Sequence, residues 1–260
     1  MGRLVLAEGE TFSPPGVKDF ILPPIFGDVT KPMVLVVLSV VIVSAFFLIT
    51  SRNLKVIPSK WQFAAESVYD FGRNSIAREQ IGSKDFKPFV PLILTLFTFV
   101  LVNNLFGIIP VLQFPTMSRI GFPLALAVLV VYPVYHYVGF KRHGFVGYLK
   151  HATMPPGAPG PIYLLVAPIE FLQKFILNPV TLAIRVFAAM FAGHLILLVF
   201  TLGGEYLLLH APVALKPVSL VAWAFAIAMT FLEAFIQILQ AYIFALLSAN
   251  FIGMALAEEH

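Results

Sequence analysis

Residues 162–200 read IYLLVAPIEFLQKFILNPVTLAIRVFAAMFAGHLILLVF. A continuous helix over these thirty-nine residues would reach ~58 Å, nearly twice the roughly 30 Å hydrocarbon core of a bilayer. Val218 to Ala257 is forty residues long and poses the same problem. Two such helices must tilt steeply or break, and a steep tilt requires a protein neighbour to cover their polar positions. Pro168 and Pro179 offer kinks in the first, whereas the second has no proline after Pro217. Within the first run Arg185 is a lone cation, with ten uncharged residues before it and nineteen after it. An intramembrane arginine is expensive enough that it must face protein or water, never lipid.

The rest of the chain fits a membrane solvent. Of 260 residues, 59% are apolar and 12% are charged, well below the roughly one-quarter charged residues of a soluble domain. The net charge of +4 follows topology and forms no surface stripe, so no nucleic-acid partner is expected. The absence of cysteine excludes disulfides, thiolate metal sites and iron–sulfur clusters, and no cofactor is expected. Residues 1–32 carry Glu8, Glu10, Asp19 and Asp28 among prolines, with no apolar run suited to a signal peptide, so the first span is expected to stay uncleaved.

Working back toward the N-terminus, Met33 to Thr50 is eighteen residues without a charge and predicts the first span, residues 33–50. Arg52, Lys55, Lys60, Arg73, Arg78, Lys84 and Lys87 follow it, against Arg3, Lys18 and Lys31 before it, which places residues 1–32 outside and 51–87 in the cytoplasm. In that cytoplasmic segment, Ser59 to Gln62 resembles a capping box. Trp61, Ala65, Val68, Gly72 and Ile76 repeat at helical spacing opposite Gln62, Glu66, Asp70 and Arg73, predicting an interfacial amphipathic helix. Residues 88–140 predict a transmembrane hairpin, with arms from Pro88 to about Pro110 and from Phe122 to Phe140. Asn103 and Asn104 near its turn read as partners of neighbouring helices. Residues 141–161 form a basic cytoplasmic loop, and Met154 to Pro161 marks the boundary before the two long helices of 162–260.

Those two helices carry most of the polar residues that bear on function. Glu233, Gln237 and Gln240 stand at i, i+4 and i+7 and share one face, which must be wet or bound to protein. Gln237 reads as a hydrogen bonder between helices. Arg185 and His194 are nine residues apart, on roughly opposite faces and ~13 Å apart along the axis. Arginine stays protonated and acts as a fixed charge, whereas His194 and Glu233 are suited to a proton relay or, more simply, to a buried pair joining two helices. Glu170 and Lys174 read either as an ion pair near the inner surface or as part of a path. No G-x-x-x-x-G-K-[ST] loop, G-x-S-x-G elbow or H-E-x-x-H pair is present, so chemistry on ATP would belong to partners.

Leu182 to His194, with the sequence LAIRVFAAMFAGH, resembles subunit a of the F-type ATP synthases. So do Leu239 to Phe244 (LQAYIF), Leu101 to Pro110 and the terminal Ala257-Glu258-Glu259-His260, and the similarity runs from about Asp85 to the C-terminus. The resemblance implies an all-α polytopic membrane protein whose two tilted C-terminal helices pack against a ring of c subunits, with b-type stator subunits and the F1 catalytic head as further partners. It implies a non-catalytic subunit of a multi-pass plasma-membrane complex, with its C-terminus in the cytoplasm. Arg185 matches the family's essential arginine, which faces the ring carboxylate between two half-channels, and Gln240 matches the glutamine near it. Family members often carry a carboxylate where His194 stands and a histidine where Glu233 stands, so the pair is exchanged here. Glu170 lies one residue further from the arginine than the family's usual glutamate, and Ala188-Ala189 replaces a common Gly-Asn. The alternative is an independent proton channel or secondary transporter; such transporters usually show internal repeats, and none is visible in this chain.

Overall fold

The computed structural model describes residues 12–52, 54–153 and 163–257. The turn-forming stretch Met154 to Pro161, the terminal Glu258 to His260, and Arg3, Glu8 and Glu10 lie outside the described residues. Among the described residues, five helical segments are long and apolar enough to cross a membrane: Lys31–Ser51, Lys87–Leu105, Gly121–Lys150, Leu165–His210 and Val213–Leu256.

A short antiparallel hairpin, β1 (Pro24–Phe26) and β2 (Val29–Thr30), turns at Gly27 and leads into α1 (Lys31–Ser51). Thr30 is the N-cap, and Pro32 sits in the first turn, where its missing N–H has no intrahelical role. Most of α1 is apolar and exposed, as expected of a helix solvated by lipid.

Helix α2 (Lys60–Asp70) is capped by Ser59, whose side chain accepts from Gln62 N at 3.3 Å. The other half of the expected capping box does not form. Gln62 instead donates from Nε2 to Lys55 O (2.9 Å) and Glu66 Oε1 (2.8 Å), and Lys55 N donates to Gln62 Oε1 (3.1 Å). The expected faces are therefore reversed at this end, with Gln62 5% exposed and Trp61 73% exposed. Gln62 finds three partners by turning inward, and an exposed indole suits a headgroup layer. The helix continues through a π-helical stretch, Phe71–Arg78, into α3 (Glu79–Ile81), which is docked on the bundle. Phe71 packs on Phe97 and Tyr242, Ile76 is fully buried, and Asn250 Nδ2 donates to Gln80 Oε1 at 3.2 Å.

The transmembrane hairpin consists of α4 (Val90–Leu105), then α5 (Gly121–Ala125), a π-helical stretch Leu126–Val131 and α6 (Tyr132–Thr153). The second arm passes the predicted limit at Phe140. His136 and Tyr148 are twelve residues apart, ~18 Å in a straight helix, yet His136 Nδ1 and Tyr148 Oη lie 2.8 Å apart. Gly144, at φ 70°, makes that reversal, and Gly139 leaves the slot that the Tyr148 ring fills.

The two long helices do not break. Helix α7 (Tyr163–Leu172) carries Pro168 and passes through a π-helical stretch, Gln173–Leu177, into α8 (Asn178–His210). The π-helical turn immediately precedes Pro179, and the helix continues past the proline without interruption. After a short turn, α9 (Lys216–Leu256) runs back for forty-one residues, about 61 Å. The core joins α4, α6, α8 and α9 through Ile93, Val100, Tyr135, Val186, Met190 and Phe244, with Ala183, Ala241, Ala245 and Ala249 allowing close helix approach.

Gly253 of α9 tests that docking. A Cβ there would lie 2.2 Å from the Gln80 carbonyl oxygen, a backbone atom with little room to yield, whereas one at Gly121 meets open space. Gly253→Ala is expected to destabilise the protein by about 1–3 kcal/mol and Gly121→Ala to have no comparable effect, measured by thermal loss of helical circular dichroism.

Candidate functional site

The period of α8 separates its two most unusual residues. Arg185 is exposed, together with Ala188 and Ala192 on the same face, while His194 is 4% exposed and turned toward α9. Arg185 makes no hydrogen bond or ion pair to any described residue. A guanidinium with five donors thus projects from an apolar helix, away from the chain's own core.

On α9, Glu233 and Gln237 are 3% and 0% exposed, and Gln240 is half-buried, so the predicted polar stripe is bound to protein. His194 Nδ1 lies 3.7 Å from Glu233 Oε1, close enough for strong electrostatic coupling but beyond hydrogen-bond distance. Gln237 Nε2 donates to the same Oε1 at 3.1 Å, leaving Glu233 Oε2 without a protein partner. This departs from the expected hydrogen bond between helices, because the Gln237 side chain bonds within α9. Its backbone carbonyl makes the interhelix contact, accepting from Asn104 Nδ2 at 3.2 Å. Gly107 allows that approach, since a Cβ there would stand 2.9 Å from Gln237 Nε2. Asn104 Oδ1, Gln237 Oε1 and Gln240 Oε1 are also buried without protein partners. A chain of unsaturated acceptors therefore runs along this interface.

Asn103 has the structural role expected of it. Its Nδ2 donates to Ser39 Oγ (2.7 Å) and Phe99 O (2.8 Å), and its Oδ1 accepts from Thr116 Oγ1 (2.6 Å), tying α1, α4 and the hairpin turn together.

His194 lines a cavity of about 600 Å³ together with Gln113, Thr201, Glu205, Trp223 and Thr230. The cavity lies toward the end of the molecule that carries the 106–118 turn. Thr201, Glu205 and Gln113 were not anticipated from the sequence. Thr201 and Glu205 follow His194 by seven and eleven residues, within ~20° of its helical face, and that spacing was the available signal. Glu170 stands apart, paired with Lys174 at 3.1 Å, and Lys174 also donates to Ala152 O at 2.8 Å. It lies ~22 Å from Arg185 along the helix, toward the opposite end of the molecule. The fold thus brings His194 and Glu233 together and keeps Arg185 and Glu170 separate from them.

These features define a class: a multi-pass membrane protein with a buried His–Glu pair beside a cavity at one end and a fixed charge presented sideways, away from the chain's own core. Residues 33–253 match the family described as ATP synthase A chain, and the chain belongs to that family. It is 48% identical to ATP synthase subunit a from a Nocardioides species, over 98% of this chain and 96% of the relative. Identity to ATP synthase subunit a of Pseudarthrobacter chlorophenolicus is 44%, over 96% of this chain and 95% of the relative. With the Streptomyces lividans protein of that name it is 42%, over 97% and 91%.

The 3.7 Å separation predicts how the pair responds to exchange. His194→Glu alone places two carboxylates together, and Glu233→His alone places two imidazoles together. Each single variant is expected to reduce ATP-driven acidification of inverted vesicles at least tenfold, given the ~10²–10⁴-fold contribution typical of acid–base groups. The double exchange restores an acid–base pair and is expected to recover a substantial part of the rate.

Proposed function

We propose that this chain is the proton-translocating stator subunit of the membrane Fo sector of a rotary ATP synthase. Its surroundings are the lipid bilayer, a ring of c subunits, b-type stator subunits and, through the complex, the F1 catalytic head. The observation that carries this reading is Arg185, exposed and unpaired among the described residues on an apolar helix too long to stand upright in a bilayer. A cation in that position requires an anionic protein partner, and a ring carboxylate supplies one. An independent channel or transporter would satisfy such a charge within its own chain.

Protons enter from outside through the cavity that ends at His194, pass by way of Glu233 and load the ring carboxylate. After rotation they leave toward the cytoplasm along a path that includes Glu170. Arg185 keeps the passing ring site ionised and separates the two half-channels, and Gln240 works beside it. The N-terminus lies outside and the C-terminus in the cytoplasm of a plasma-membrane complex. Each elementary charge crossing 100 mV releases ~2.3 kcal/mol, so several must pass for each ATP made. The chain itself is non-catalytic.

Arg185→Ala is expected to abolish ATP-driven acidification of inverted vesicles while the complex remains assembled, and to open a passive proton leak once the catalytic head is stripped. Normal pumping by this variant would overturn the barrier role.

A further inference from the structure

We propose that Phe20 is a positioning residue for His194 and that the segment carrying it confines access to the imidazole to one side. The inference rests on the relay reading of His194 given above. Residues 12–20 run along α8 toward its middle. Phe12 packs on Tyr206 (5.2 Å between ring centroids) near Gly203, and Phe20 reaches Phe191 (4.5 Å) and His194 (5.8 Å). The Phe20 ring meets the imidazole nearly edge-on, at 76°, and is 4% exposed.

Two anchors hold this segment. The Phe20 ring sits in an apolar cluster with Leu35, Phe106 and Phe114, bordered by Leu195. Its carbonyl oxygen accepts from both Arg119 Nε (3.2 Å) and Nη2 (3.1 Å), a forked, charge-assisted contact from the hairpin turn. A guanidinium used on a backbone carbonyl fixes where the strap lies.

The reason such fixing matters is that no hydrogen bond from a described residue to Nδ1 orients the ring. The outer torsion of a histidine is broad, His194 Nδ1 has no hydrogen-bond partner among the described residues, and Glu233 is too distant to supply one. Packing must then set the angle at which the imidazole faces Glu233. Phe20 is the aromatic stop on one side, and the cavity with Thr201 and Glu205 occupies another. Phe20 does not line that cavity, so the imidazole stands between a wet face and an aromatic wall.

The test uses the assembled complex in membranes. A misplacement of ~1 Å at a reacting group can cost ~10²-fold, so Phe20→Ala is expected to slow ATP-driven acidification at least tenfold with normal assembly. Phe20→Tyr, which restores the ring, is expected to recover most of the rate. Because the chain has no cysteine, single thiols report access cleanly. Leu195→Cys is expected to react several-fold faster with a membrane-impermeant thiol reagent when combined with Phe20→Ala, whereas Thr201→Cys, already in the cavity, reacts equally with or without it. Should Phe20→Ala fail to assemble, Arg119→Gln removes only the fork and is expected to shift both readouts in the same direction. Pumping within twofold of the parent in Phe20→Ala or Arg119→Gln, or unchanged Leu195→Cys labelling, overturns the positioning role. His194→Ala separates the two levels: if it abolishes pumping while Phe20→Ala does not, only the positioning role falls, and if it pumps normally the relay itself falls.

Discussion

A helix of forty or more apolar residues cannot stand upright across thirty ångströms of hydrocarbon, and the rest of this molecule is arranged around that mismatch. Neither α7–α8 nor α9 resolves it by breaking. Both run unbroken and must lie obliquely, which exposes their flanks to more than lipid. On one flank, α4 and α6 close against them through alanines that allow near contact of backbones. The other flank has no partner among the described residues.

The polar residues are sorted by these two flanks. His194, Glu233, Gln237 and Asn104 are sealed between helices, where a low dielectric makes each partner matter. Several of their acceptor atoms are unmatched by donors among the described residues. Arg185 is turned the other way. Nine residues of spacing put this permanent charge and the titratable imidazole on opposite faces of one helix.

Much of this was legible in the sequence because a bilayer imposes simple rules. The five spans, the excess apolar length of the last two, the opposed faces of Arg185 and His194 and the structural role of Asn103 follow from periodicity and charge placement alone, whereas that the long helices run on without breaking does not. What was not legible depends on partners distant in sequence. Gln62 turns inward because a loop seven residues earlier offers it hydrogen bonds, although Ala65, Gly72 and Ile76 keep the expected face buried. The second hairpin arm passes Phe140 because Gly144 folds its end back, and a single glycine in a basic stretch gives little sign of that. The His194 cavity was half visible, since Thr201 and Glu205 share its face, while Gln113 comes from another element. Phe20 carried no signal at all: it is one of three phenylalanines before α1, and its place beside His194 depends on where Arg119 holds it.

The sparse packing of α1 bears on the order in which the molecule can be put together. This helix is apolar all round and largely exposed, so it can enter a bilayer alone, and its Ser39 bond to Asn103 sets its depth against α4. The last contacts of the segment N-terminal to α1 must then wait. Leu35 and the hairpin turn can hold Phe20 early, but its ring cannot meet Phe191 and His194 until α8 has been threaded through the membrane more than a hundred residues later. These early-made residues thus complete the surroundings of His194 last, and while they wait it lacks its aromatic wall. Biogenesis of the whole chain must therefore tolerate an interval in which this buried imidazole stands open on one side.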